Sequence, residues 1–189
     1  MDVQALTVED GALSINGAGP PVDWLVVMKR LDERFMLDRL IAENRLQCSQ
    51  LDRLVETLAK FYRHARPVFI PPARYLSEWA ANLAYNRRIL LDPRLQVPAG
   101  LVRRIDIAQQ VFLSKRSHQI KRRLLHRRIV DGHGDLRLEH IWLNEQVTII
   151  DCLEFNPRLR VVDPFDEVAF LSLECDRLGA GRANTFSLV

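Results

Sequence analysis

Residues 141–150 hold two short apolar runs, Ile141-Trp142-Leu143 and Val147-Thr148-Ile149-Ile150, separated by the polar triplet Asn144-Glu145-Gln146. Runs of this length and composition around a polar break predict a β-hairpin. A hairpin returns the chain to its starting point, so the residue before the first strand must lie beside the residue after the second. Those residues are His140 and Asp151. The segment before His140, Asp131-Gly132-His133-Gly134-Asp135-Leu136, carries two glycines around a histidine and reads as a tight polar loop. One short stretch, 130–151, therefore gathers two carboxylates and an imidazole.

The rest of the chain supplies the setting. Residues 12–17 and 22–30 read as two strands joined by a turn containing Gly17, Gly19, Pro20 and Pro21. Residues 33–43 have apolar positions at helical spacing, Phe35, Met36, Leu40 and Ile41. A helix capped by Ser49 comes next, with Leu51, Leu54, Val55, Leu58, Phe61 and Tyr62 as its buried stripe. Another spans about 75–91, and helical periodicity resumes at Leu101 and runs through a basic block. Asp163-Pro164 starts a last helix that Gly179 ends. Strands and helices segregated in this way indicate an α+β class: a small N-terminal strand pair with a helix over 1–45, then a mainly helical lobe over 46–189.

Composition narrows the classes. With 189 residues, 48% hydrophobic and 27% charged, the chain has enough apolar material for a core. It has no apolar run long enough for a membrane span, and its N-terminus lacks the features of a secretory signal. Cys48, Cys152 and Cys175 form no Cys-x-x-Cys pair and no even framework, which points to a reducing, cytoplasmic setting. The net charge of +3 is small but uneven, because Lys115, Arg116, His118, Lys121, Arg122, Arg123, His126, Arg127 and Arg128 share one segment. That block is either a solvated helix face or a phosphate-attracting surface. It lacks the interleaved aromatics that base stacking needs, which argues against nucleic acid as the partner.

A carboxylate held in a tight loop can orient an attacking hydroxyl. A second carboxylate beside an imidazole can hold a metal that neutralises nucleotide phosphates. Together these are the requirements of phosphoryl transfer. His133-Gly134-Asp135-Leu136, ending at His140, resembles the catalytic loop His-Gly-Asp-Leu-x-x-x-Asn of aminoglycoside phosphotransferases, and Ile149-Ile150-Asp151 resembles their metal-binding segment. The wider stretches HGDLRLEHIWL and IIDCLEFNPRLRVVDPFDEVAFLSLECDRLG are similar to a bacterial branch of that family, some of whose members carry a C-terminal P-loop ATPase domain.

The resemblance implies a protein-kinase-like fold and transfer of the γ-phosphoryl group of magnesium ATP or GTP to a small hydroxylated acceptor. It makes Asp135 the catalytic base, His133 a second catalytic residue of the same loop, and Asp151 the metal ligand. His140 stands where the family has a second metal-binding Asn, and an imidazole suits softer metals than magnesium. Asp166 matches the acidic residue that braces the catalytic loop, or is an ordinary first-turn carboxylate. Lys29, in Val26-Val27-Met28-Lys29, is the candidate to reach the phosphates, or a charge ending an exposed strand; Glu33 and Glu43 are its candidate partners. No phosphate-covering glycine loop precedes Lys29, so the chain reads as a short or truncated member. A catalytically degenerate pseudokinase or binding module is the alternative, and nucleic-acid binding through 115–128 the third.

Overall fold

The computed structural model describes residues 2–179 and divides them into two compact units, one ending at Phe35 and one beginning at Met36. The protein mixes helices and strands, and among the described residues no helix is long and apolar enough to cross a membrane.

The first unit is a three-stranded antiparallel sheet of β1 (Asp2–Glu9), β2 (Ala12–Ile15) and β3 (Pro21–Val27), in the order β2-β1-β3. The two expected strands are both present but are not neighbours, because β1 lies between them. Leu6 stands opposite Ile15 on one side, and Asp2 opposite Val27 on the other. The cause is Asp10-Gly11. Both residues have positive φ, 48° and 78°, and they form a two-residue connection whose twist matches that of the strands it joins. β3 ends at Val27, so Lys29 lies two residues beyond the expected strand's observed end and is exposed. Glu33 pairs with Arg30 at 2.9 Å and Glu43 with Arg45 at 2.7 Å, so both acidic candidates for Lys29 are engaged elsewhere.

The second unit begins earlier than the expected boundary after residue 45. The short helix α1 (Leu37–Ala42) buries Leu37, Leu40 and Ile41 in the main core, which makes it part of the helical unit. α2 (Cys48–His64) starts before Ser49: Gln47 and Gln50 exchange side-chain-to-backbone hydrogen bonds in a reciprocal cap. Pro72 opens α3 (Pro72–Leu90), where its missing N–H costs nothing. α3 packs on the long α4 (Ala99–Leu125), with Arg87 reaching the buried Asp106 at 3.2 Å.

Beyond α4 come β4 (Val130–Asp131), the polar loop, and the hairpin of β5 (Ile141–Leu143) and β6 (Val147–Ile149). β7 (Val161–Val162) then pairs antiparallel with β4. α5 (Pro164–Arg177) starts at the expected place, with the Asp163 carboxylate accepting from the Phe165 N–H, and Gly179 lies just past its end with φ of 88°.

The core joins α1, α2, α5 and the hairpin through Leu37, Leu54, Leu138, Ile141, Leu143 and Leu171, each no more than 1% exposed. At about 25 cal/mol per Å2 of apolar surface, such side chains each contribute roughly 1.5–3 kcal/mol. Leu136, Leu138, Ile141 and Leu143 belong to this core, so the polar loop is anchored by its own alternate residues.

Candidate active site

The loop between β4 and β5 is fixed by α5. Glu167, Leu171, Glu174 and Cys175 form the buried stripe of that helix, so two of its buried positions are carboxylates. The Glu167 carboxylate accepts from the His133 N–H at 3.2 Å, from the Gly134 N–H, and from the Tyr62 hydroxyl at 2.7 Å. Two turns further on, Glu174 accepts from the Leu138 N–H at 3.2 Å and pairs with Arg137. One helix thus grips the loop near both ends. Burial, then the adjacent Glu167 charge, pushes the Tyr62 hydroxyl far above its ordinary range and keeps it a donor.

This corrects the expectation for Asp166. α5 turns its side chain away from the loop, toward a cavity of about 470 Å3 between α3, α4 and the start of α5. Partial burial there and the neighbouring Asp163 push its carboxyl up to about 6. The bracing residue is Glu167, one position along and about 100° around the helix.

His133 is 6% exposed and both of its ring nitrogens are used. Nε2 lies 2.9 Å from the Ile150 carbonyl oxygen, which can only accept, so Nε2 carries the proton. Nδ1 then accepts the Asp135 N–H at 3.3 Å. His133 therefore ties the loop to the end of the hairpin and positions Asp135. It has no free nitrogen for proton transfer, contrary to the catalytic role expected for it.

His140 is the hub. Its Nδ1 lies 2.8 Å from the Asp135 carbonyl oxygen and 3.9 Å from the nearer Asp135 carboxylate oxygen. Its Nε2 lies 3.3 Å from Asp151 Oδ2, and the Ile150 N–H donates to the His140 carbonyl at 2.9 Å. The hairpin thus sets Asp151 against His140, as its ends require. The Asp151 side chain is 76% exposed and its φ is 62°, a conformation that Asp and Asn adopt more readily than other side chains. Asp135 is half-buried.

Gly134 has φ of 87°, and a Cβ there would come within 2.9 Å of the Leu159 carbonyl oxygen. Gly134→Ala is expected to cost about 2 kcal/mol or more and to displace the loop. Gly100→Ala, on an open face of α4 with nothing within 4 Å, should be neutral or gain up to about 1 kcal/mol. Thermal denaturation of the two variants checks the contrast.

Comparison with known proteins adds distant relatives. The chain is 29% identical over 168 residues to uncharacterised proteins from Mycobacterium tuberculosis and Mycobacterium bovis, a match covering 86% of this chain. It spans about a third of the length of these curated relatives, 33% in each case. No family model and no solved structure matches.

Other sequence candidates fall into place around the loop. Arg160 pairs with Asp131 at 2.8 Å and also donates to the Leu153 carbonyl, so it locks the loop's start. Of the basic block, Arg123 is structural: it is bound to Asp163 and stacked 4.1 Å over the Phe165 ring. The other basic residues of the block are exposed. Sequence reasoning missed a cavity of about 460 Å3 beside the loop, lined by Leu58, Phe61, Tyr62, His133, Leu136 and Ile149 among others.

Proposed function

We propose that the protein is a kinase-like phosphotransferase of the aminoglycoside-phosphotransferase type, which moves the γ-phosphoryl group of a metal–nucleotide to a small hydroxylated acceptor. The observation that carries this reading is the convergence of Asp135 and Asp151 on one buried imidazole, His140. A small antiparallel sheet followed by a mainly helical unit with a braced polar loop and a hairpin accords with such a fold.

In this reading Asp135 accepts the proton of the acceptor hydroxyl and aligns its oxygen for attack. Glu167, Glu174 and His133 hold the loop that presents Asp135. Asp151 and His140 are the side chains suited to a divalent cation. Among the described residues no group of three or more His, Cys, Asp or Glu forms a self-sufficient metal site. Two protein ligands with the remaining positions left to phosphates and water is the pattern of cations that arrive with a nucleotide, magnesium being the usual one. When bound, such a cation offsets charge on the phosphates.

The test is label transfer from γ-labelled ATP or GTP to a panel of small alcohols and sugars. Label should reach an acceptor with the wild-type protein and be lost with Asp135→Asn. The position of Lys29 beyond the end of β3 favours a second reading, a pseudokinase that binds a nucleotide without transferring phosphate. Nucleotide binding with no transfer to any acceptor or to water would select it.

A further inference from the structure

We infer that His140 makes the cation site selective for a first-row transition metal, such as manganese or cobalt, over magnesium. The inference rests on the phosphotransfer reading and concerns which cation that site takes.

His140 Nδ1 faces a backbone carbonyl oxygen at 2.8 Å, and a carbonyl only accepts, so Nδ1 is the donor. In the neutral ring, Nε2 then carries a lone pair, and it points at Asp151 Oδ2 at 3.3 Å. Two acceptors at that distance repel each other unless something positive lies between them. Two donors each about 2.0–2.2 Å from one metal, at the angles of tetrahedral or octahedral coordination, stand about 3 Å apart. The pair is thus already at the spacing of adjacent ligands.

The surroundings match a nitrogen ligand in a second respect. Metal-binding histidines commonly donate their other ring N–H to a carbonyl or carboxylate, which fixes the tautomer and makes the ligand more basic. His140 does this with the Asp135 carbonyl, and at 9% exposure its ring has little freedom to turn away. Asp151 lies on the exposed side of the pair, at 76% exposure, so the open coordination positions face solvent, where phosphates can enter.

Magnesium takes oxygen ligands and gives up water reluctantly, whereas the series from manganese to zinc accepts imidazole increasingly well. One carboxylate plus one imidazole therefore favours the transition metal. An alternative cause of the same geometry is a protonated His140 in a plain ion pair with Asp151, and the experiment separates the two.

The experiment is calorimetric titration of a non-hydrolysable ATP analogue into the full chain with magnesium, manganese or cobalt, on the wild type and on His140→Asn. Pulsed electron paramagnetic resonance of the wild-type manganese complex accompanies it and needs no variant. We expect manganese or cobalt to support binding about tenfold better than magnesium, His140→Asn to remove most of that preference, and the manganese spectrum to show coupling to an imidazole nitrogen. Binding that is equally strong with magnesium, unaltered in metal preference by His140→Asn and without nitrogen coupling, overturns the inference and leaves the phosphotransfer reading standing. No nucleotide binding with any of the metals removes the reading and the inference with it.

Discussion

Glu167→Ala is expected to lower folding stability by about 3–5 kcal/mol, because it strands three donors in the interior at once. The His133 N–H, the Gly134 N–H and the Tyr62 hydroxyl all converge on this carboxylate, which is 7% exposed. A buried donor without a partner costs about 1–3 kcal/mol, and some re-pairing with water entering the gap limits the total. Against the roughly 5–15 kcal/mol that holds a typical domain, the loss is large. Asp166→Ala, one residue away at the rim of the cavity and only partly desolvated, should stay within about 1 kcal/mol of wild type. Urea denaturation measures both, and near-equal midpoints for the two variants would contradict the bracing role given to Glu167. The proposed phosphotransfer should fall with Glu167→Ala even where the protein remains folded, since the loop carrying Asp135 loses its anchor.

On the proposed phosphotransfer reading, Asp135→Asn should have the largest effect on turnover and almost none on the fold. The asparagine has the same shape, and the contacts that fix residue 135 run through its backbone: its N–H to His133 and its carbonyl to His140. What disappears is a proton acceptor, and removing a positioned general base typically slows chemistry by about 10²–10⁴-fold. Single-turnover transfer should show that loss in kcat, with nucleotide affinity changed by no more than about threefold, a shift of well under 1.4 kcal/mol. Full kcat in the asparagine variant would remove Asp135 from the chemistry. A parallel loss of nucleotide affinity would instead place it among the binding groups.

How much of the structure was legible in the sequence depends on how local the determinant is. The hairpin and the start of α5 rest on adjacent residues, Ile141 to Ile149 and Asp163-Pro164, and both lie where expected. The approach of His140 to Asp151 is a consequence of hairpin closure alone. β1 was missed although Asp10-Gly11 signals the turn that pairs it with β2; the more conspicuous Gly17 to Pro21 segment drew the strand pairing to the wrong neighbours.

The choice of Glu167 over Asp166 depends on the rotation of α5, which a single acidic pair does not reveal. The signal was the spacing of Glu167, Leu171, Glu174 and Cys175, which sets two glutamates on the helix's apolar stripe. Carboxylates on such a stripe need buried donors, and the loop backbone supplies them. The boundary at Phe35 rather than after residue 45 was hidden for a different reason. Whether α1 belongs to the sheet or to the helical unit is decided by long-range packing of Leu37, Leu40 and Ile41.

The most direct measurement of the central claim is a thermal-shift titration with magnesium ATP and magnesium GTP on the wild type and on Asp151→Ala. Asp151 is exposed and its φ is 62°, so the alanine variant should fold with at most a modest loss of stability. A nucleotide at one hundred times its dissociation constant should stabilise the wild type by roughly 2.7 kcal/mol, an easily resolved shift. The phosphotransfer account predicts that shift with at least one nucleotide, dependent on the divalent cation and absent in Asp151→Ala. A cooperative melt that neither nucleotide moves, or a shift of the same size in Asp151→Ala, would contradict it.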